Sequence, residues 1–206
     1  MKRHRPLIVV AAVASLAACS TVMPTAQSGF LSDYSALAGA TDEATASRSS
    51  ADTIDPARVN VDAVSWRVTG SADISAEERE ALLTQLRSEL QRHLRALPAQ
   101  PLGRPAVLRA AITRVETVSP ALNLVSALVL TVPLDRGGAA VEIEAVDPQT
   151  RRQLAALTQG YFAPLSELKA RFSKMAAADI AVRKAAADFV PLLQPAPIAG
   201  KQTALR

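Results

Sequence analysis

The feature that most constrains this chain is a lone cysteine at the end of a short apolar leader. Residues 1–19 run MKRHRPLIVVAAVASLAAC, and Cys19 is the only cysteine in 206 residues. A single thiol rules out an internal disulfide. Whatever folds downstream must therefore be held together by a buried apolar core. Lys2, Arg3, His4 and Arg5 form a basic head, and the 12 residues Leu7 to Ala18 follow without a charge. A bilayer span needs roughly 20 apolar residues, so this run is too short for one. A basic head, a short apolar run and small residues at its end make the pattern of an export signal.

The last four residues, Leu16-Ala17-Ala18-Cys19, resemble the lipobox of bacterial lipoprotein signals. The resemblance implies a thioether between the Cys19 sulfur and a diacylglycerol, cleavage before the cysteine, and acylation of the new amino end. A thiol suits that step because the thiolate is a strong nucleophile. One acyl chain anchors a protein only marginally; the three that the resemblance implies would anchor it durably. Residue 20 is Ser, not Asp. By resemblance to Gram-negative sorting signals, that directs the chain to the outer membrane, on its periplasmic face.

Removing the leader also changes the charge. The full chain has 23 basic and 19 acidic residues; without Lys2, Arg3 and Arg5 the balance is 20 against 19, a net +1. No basic field remains to hold nucleic acid. Aromatic residues make up 3% of the chain, too few for base stacking.

Four regions are expected: a signal peptide at 1–18, a lipidated tether with a docking arm at 19–57, a globular domain at 58–193 and a loose tail at 194–206. Residues 38–53 are mostly Ala, Ser, Thr and Asp, with one Gly, one Glu and one Arg, a composition expected to be disordered. As a flexible coil, residues 20–57 would reach about 35 Å. Within them Gly29-Phe30-Leu31-Ser32-Asp33-Tyr34-Ser35-Ala36-Leu37 is an apolar island. Phe30, Leu31 and Tyr34 are either an arm laid on the domain or a surface for a partner.

The globular region alternates strand and helix patterns. Residues 58–68 carry apolar residues at both parities, as an interior strand does. Ser75 with Glu78 three residues on forms a capping box. It opens a helix over 76–97 with Leu83, Leu86, Leu90, Leu94 and Leu97 on one stripe. Strands are expected over 106–118, 139–147 and 152–161. A short helix is expected over 164–172 and a longer one over 176–193. In 139–147, Val141, Ile143 and Ala145 are expected to face the core and Glu142 and Glu144 the solvent. The fold class is α+β: about four strands in an antiparallel or mixed sheet, packed by two main helices, in the order strand, helix, three strands, helix.

The stretch from Leu122 to Leu134 is nearly all apolar, with Pro133 inside. It is either a buried strand continuing the sheet or a hydrophobic hairpin that meets a partner or the bilayer. Leu122, Leu128 and Leu130 are its candidate contact residues.

No catalytic constellation emerges. His93 lies in the last turn of the first helix, an ordinary place for a cation. Past the leader, His93 is the one histidine and no thiol follows Cys19, which leaves no usual metal set. Glu142 and Glu144 stand about 7 Å apart on a strand, a spacing that would suit acid–base work, but they alternate with Val141, Ile143 and Ala145 and so read as a solvated outer face. There is no phosphate-binding loop, dinucleotide glycine pattern or nucleophile elbow. Neither an enzymatic activity nor a cofactor is expected.

The pieces GFLSDYSAL (29–37), LRAAITRVETVSPALNLVS (108–126) and GGAAVEIEAVDPQTRRQLAAL (137–157), with the closing Ala-rich helix, resemble a bacterial lipoprotein family catalogued as domain of unknown function 3313. That family carries no established reaction. The expected role is a binding or assembly accessory anchored to the outer membrane, with another envelope protein or a second copy as partner. The alternative is a carrier of a small apolar ligand held between sheet and helices.

Overall fold

The computed structural model describes residues 21–37, 45–49, 52–70, 73–130, 136–164, 166–167, 170 and 172–194. The fold is α+β. Its strands are β1 (Thr45–Ser49), β2 (Ile54–Trp66), β3 (Arg104–Glu116), β4 (Gly138–Val146) and β5 (Gln153–Phe162). Its helices are α1 (Ala76–Ala96), α2 (Pro120–Leu130) and α3 (Ala176–Phe189). Short 3-10 turns occupy Ser35–Leu37 and Val190–Leu193.

The five strands form one mixed sheet in the order β1-β5-β4-β3-β2. β2 and β3 run parallel, joined through α1; every other pairing is antiparallel. β1 adds a fifth strand to the four expected from the sequence, and it falls inside the segment read as disordered. Its sequence, TASRS, has no apolar alternation. Backbone pairing to β5 from Thr45↔Gln159 to Ser49↔Ala155 defines it.

Helices α1 and α3 lie together on one face, α1 against β2 and α3 against β4 and β5. Ser75 caps α1 as expected. Its hydroxyl accepts the Glu78 N–H at 3.2 Å and its own N–H donates to Glu78 Oε2 at 2.8 Å. Leu82, Leu86, Leu90 and Leu94 are the buried stripe of this helix. They meet Leu108, Ile112, Val141, Ile143, Leu157, Val182 and Phe189 in the main core. Ala177, Ala178, Ala181, Ala185 and Ala186 are buried along α3, and their small side chains let the helix settle close to the strands. The short helix expected over 164–172 lies partly outside the described residues. Within them, Glu167 N–H bonds Pro164 O and Ala170 N–H bonds Glu167 O, two successive turns.

Two further expectations are overturned. Every residue of β4 is buried, with Glu142 1% and Glu144 0% exposed. These glutamates do not face solvent, because an N-terminal arm covers the second side of the sheet. The apolar run after β3 is neither a strand nor a strand hairpin over its described part. Residues 120–130 are helical, with Pro120 at the first helical position, where its missing N–H costs nothing.

Candidate functional site

The arm, described over residues 21–37, is tied to the sheet at Thr21 and Met23. Phe162 N–H donates to Thr21 O at 2.8 Å, and Met23 N–H to Gly160 O at 3.3 Å. Val22 bridges Tyr161 antiparallel. Thr21–Met23 thus continues along the edge of β5 where β1 stops. The edge is covered by two separate pieces of chain, which removes a template for aggregation. Gly160 makes this possible, since a Cβ there would overlap the Met23 carbonyl. The segment expected to be a leash is therefore laid on the sheet.

Further along, the arm crosses the face opposite the helices and closes over the two glutamates. Gly29 takes a left-handed φ of +76°, which reverses the chain between Ser28 and Phe30. Ser28 then gives both donors to one carboxylate: N–H to Glu142 Oε1 at 2.9 Å and hydroxyl to Oε2 at 2.6 Å. Ser32 does the same for its neighbour, N–H at 2.9 Å and hydroxyl at 2.7 Å to Glu144 Oε2. Tyr34 hydroxyl donates to Glu142 Oε2 at 2.7 Å while accepting the N–H groups of Phe30 at 2.9 Å and Leu31 at 3.1 Å. Gln153 spans the join, giving Nε2–H to Glu144 Oε2 at 2.9 Å and to Asp33 O at 3.0 Å.

Charge compensation comes from the sheet. Arg109 Nη1 stands 3.1 Å from Glu144 Oε1, and its guanidinium lies 5.2 Å from the centre of the Phe30 ring. The contact to Oε1 is electrostatic and not a directed hydrogen bond. Glu142 is held, among the described residues, by hydroxyls and an amide. Burial raises the Tyr34 phenol above its ordinary 10.0, and its bond to Glu142 adds to the shift. Phe30 and Leu31, 6% and 5% exposed, pack on Ala111 and Ala156, with Tyr34 and Leu37 beside them.

A carboxylate that already accepts three donors beneath a packed arm is not poised to take a proton from a substrate. The arrangement is a latch: two acids on alternate residues of β4, read by serines four residues apart in the arm. Past it, Asp147 Oδ1 accepts Gln149 and Thr150 N–H, both at 2.9 Å, and Arg104 Nε reaches Oδ2 at 3.1 Å. The Thr150 amide first, then Arg104, holds this carboxyl far below its ordinary 3.8. His93 stands 3.8 Å from Glu89, which also pairs with Arg92. Among the described residues no three His, Cys, Asp or Glu side chains gather as a metal would need.

The candidate residues named from the sequence fall into separate places. Phe30, Leu31 and Tyr34 belong to the arm and are engaged by the sheet. Leu122 and Leu128 are exposed on α2, 51% and 77%, with Leu124 and Val125 beside them at 55% and 59%. Leu130 ends α2, and its side chain lies outside the description, as does Cys19. The cleft beside the arm, about 560 Å³, is lined by groups such as Gln27, Arg67, Thr113 and Glu116. Glu142 and Glu144 were missed as structural residues. The signal that marks them is the hydroxyl-rich spacing of Ser28, Ser32 and Tyr34.

A helix pair on one face of a mixed sheet and an acid-latched arm on the other define an α+β domain. The chain belongs to the protein family of unknown function DUF3313, which matches residues 26–189. That span takes in the arm, the sheet and α3. No curated protein matches the chain. Among solved structures it is similar to a variant of the PelC dodecamer from Paraburkholderia phytofirmans, at 13% identity and TM-score 0.46, covering 74% of this chain and 98% of that one. It is also similar to the PelC dodecamer of the same organism, at 12% identity and TM-score 0.41, again covering 74% and 98%.

Proposed function

We propose that this protein is an outer-membrane lipoprotein facing the periplasm, anchored through an acylated Cys19, and that it works there as a non-catalytic binding or assembly accessory to another envelope protein. The observation that carries the reading is the leader, a basic head and a 12-residue uncharged run closing on Leu16-Ala17-Ala18-Cys19. The fold supports it, because Thr21, two residues past the cysteine, is already bonded to β5. Engagement of Glu142 and Glu144 by the arm supports a non-catalytic role. Packing weighs against the carrier alternative: Leu86, Leu90, Leu108, Ile112, Ile143 and Phe189 fill the centre between sheet and helices, all of them fully buried.

Labelled palmitate should enter the wild-type protein and not Cys19→Ser, and only the wild type should fractionate with outer membranes. A water-soluble, unmodified wild type would overturn the anchor. Crosslinking in intact cells followed by mass spectrometry should recover one envelope protein in stoichiometric amount. Recovery of the uncrosslinked protein alone would overturn the accessory role.

A further inference from the structure

The register of the sheet brings two separate features to one end. Phe162 N–H bonds Thr21 O; Phe162 pairs with Gly138, and Gly138 with Glu116. Thr21, Phe162, Gly138 and Glu116 therefore form a row across the end of the sheet. Going backward from Met23 to Thr21, the partners advance from Gly160 to Phe162, so Thr21 itself stands on this row. Going forward from Glu116, helix α2 starts at Pro120, past the same row. An extended chain covers at most about 3.6 Å per residue, so the Cys19 backbone lies within about 7 Å of Thr21.

Helix α2 is unlike the rest of the surface. Leu122, Leu124, Val125 and Leu128 are all more than half exposed. They cover one broad side of the helix, while Asn123 on the other side is fully buried. Residues 117–134 carry no charge. Antiparallel neighbours such as β3 and β4 need only a two-residue turn; here an apolar helix replaces it. Its 11 residues make a rod of about 16 Å, against about 30 Å for a hydrocarbon core. It matches one leaflet, and among the described residues no helix is long and apolar enough to cross a membrane. Around its foot are the groups that suit a headgroup layer. The Arg136 guanidinium lies 5.1 Å from the Phe162 ring centre, and Phe172 is exposed.

The geometry points to α2 as a membrane wedge: its Leu122, Leu124, Val125 and Leu128 side enters the leaflet that holds the acyl chains on Cys19. The domain then sits on the bilayer by the Glu116–Phe162 end of its sheet, fixed at two points and not swinging on a leash. This rests on the anchoring reading above. The occupant is lipid and not a second copy, because a two-residue link to the anchor holds this end at the bilayer surface.

The test uses the full lipidated chain in phosphatidylethanolamine–phosphatidylglycerol vesicles. The thioether consumes the only native thiol, so Leu128→Cys carries a nitroxide alone. Gln149→Cys, in the turn at the opposite end of the sheet, is the control. Oxygen should relax the label at 128 more than an aqueous nickel chelate does, and the order should reverse at 149. Equal chelate access at both positions overturns the wedge. So does label–label broadening at 128 without oxygen preference, which would make α2 an interface between copies. The same labels on Cys19→Ser, with excess vesicles, separate the two readings. Oxygen preference at 128 in a protein whose wild type takes up no palmitate removes the anchor and keeps the wedge. Palmitate uptake without that preference keeps the anchor and removes the wedge.

Discussion

The bond between Tyr34 and Glu142 can be isolated from everything around it. Tyr34→Phe removes a 2.7 Å hydroxyl–carboxylate bond and also the acceptor for the Phe30 and Leu31 amides. Glu142→Gln keeps the shape of the side chain and removes its charge. Each single change mixes several losses, but a double-mutant cycle cancels those the two do not share. The orphaned amides appear in both Tyr34→Phe backgrounds and drop out. The lost Ser28 bonds appear in both Glu142→Gln backgrounds and drop out as well. What remains is one charge-assisted hydrogen bond in a site where Glu142 is 1% exposed. Such bonds contribute about 1.5–3 kcal/mol, so the coupling energy should fall in that range. Urea unfolding of the four proteins gives it, provided the slopes agree. Hydrogen exchange of the Ser28 and Ser32 amides should report the same weakening locally. A coupling below about 0.5 kcal/mol, the usual scatter for independent sites, would refute the latch.

Other perturbations address the arm, the turn and the core. Gly160→Ala forces a Cβ against the Met23 carbonyl; the Phe162 amide should lose its exchange protection while the β3 and β4 amides keep theirs. The raised Tyr34 phenol favours the neutral form in the folded state, so its contribution is whole below 10.0 and is lost as pH rises through the higher folded value. Alkaline titration followed by phenolate absorbance should show Tyr34 ionising above 10.0, together with release of the arm. The depressed Asp147 carboxyl works the other way: its contribution is present above 3.8 and lost as pH falls toward the much lower folded value. Asp147→Asn should therefore flatten the acid limb of the stability profile in urea titrations. Phe189, fully buried at the centre of the helix–sheet core, should cost about 3–5 kcal/mol when cut to Ala, read from the denaturation midpoint.

Local signals carried the elements whose determinants are local. The capping box at Ser75 and the leucine stripe placed α1 to within a residue, since both act over four positions. Alternation placed β4 but mistook its second face. The donors that bury Glu142 come from Ser28, 114 positions away, and nothing near residue 142 announces them. Strand β1 was invisible because its pairing is made by the backbone, and Thr45–Ser49 has no face to bury. Helix α2 failed for another reason. A short apolar run has no period to tell strand from helix, although Ser119 before Pro120 is a helix start in plain view.

The latch explains why two acids lie under an arm that could have been wholly apolar. Phe30 and Leu31 supply the burial, but apolar contacts alone tolerate sliding along a sheet of alanines such as Ala111 and Ala156. The carboxylates fix the register. Ser28 and Ser32 each present an amide and a hydroxyl to one acid. A slip of one residue toward the amino end would set Gly29 and Asp33 there instead. Glu142 would then lose its hydroxyl, and Glu144 would face a second carboxylate without water between them, a repulsion that buried charges feel strongly. Of these two registers, the seated one alone satisfies both acids. The same register goes with the seat of Thr21 on Phe162 at the edge of β5.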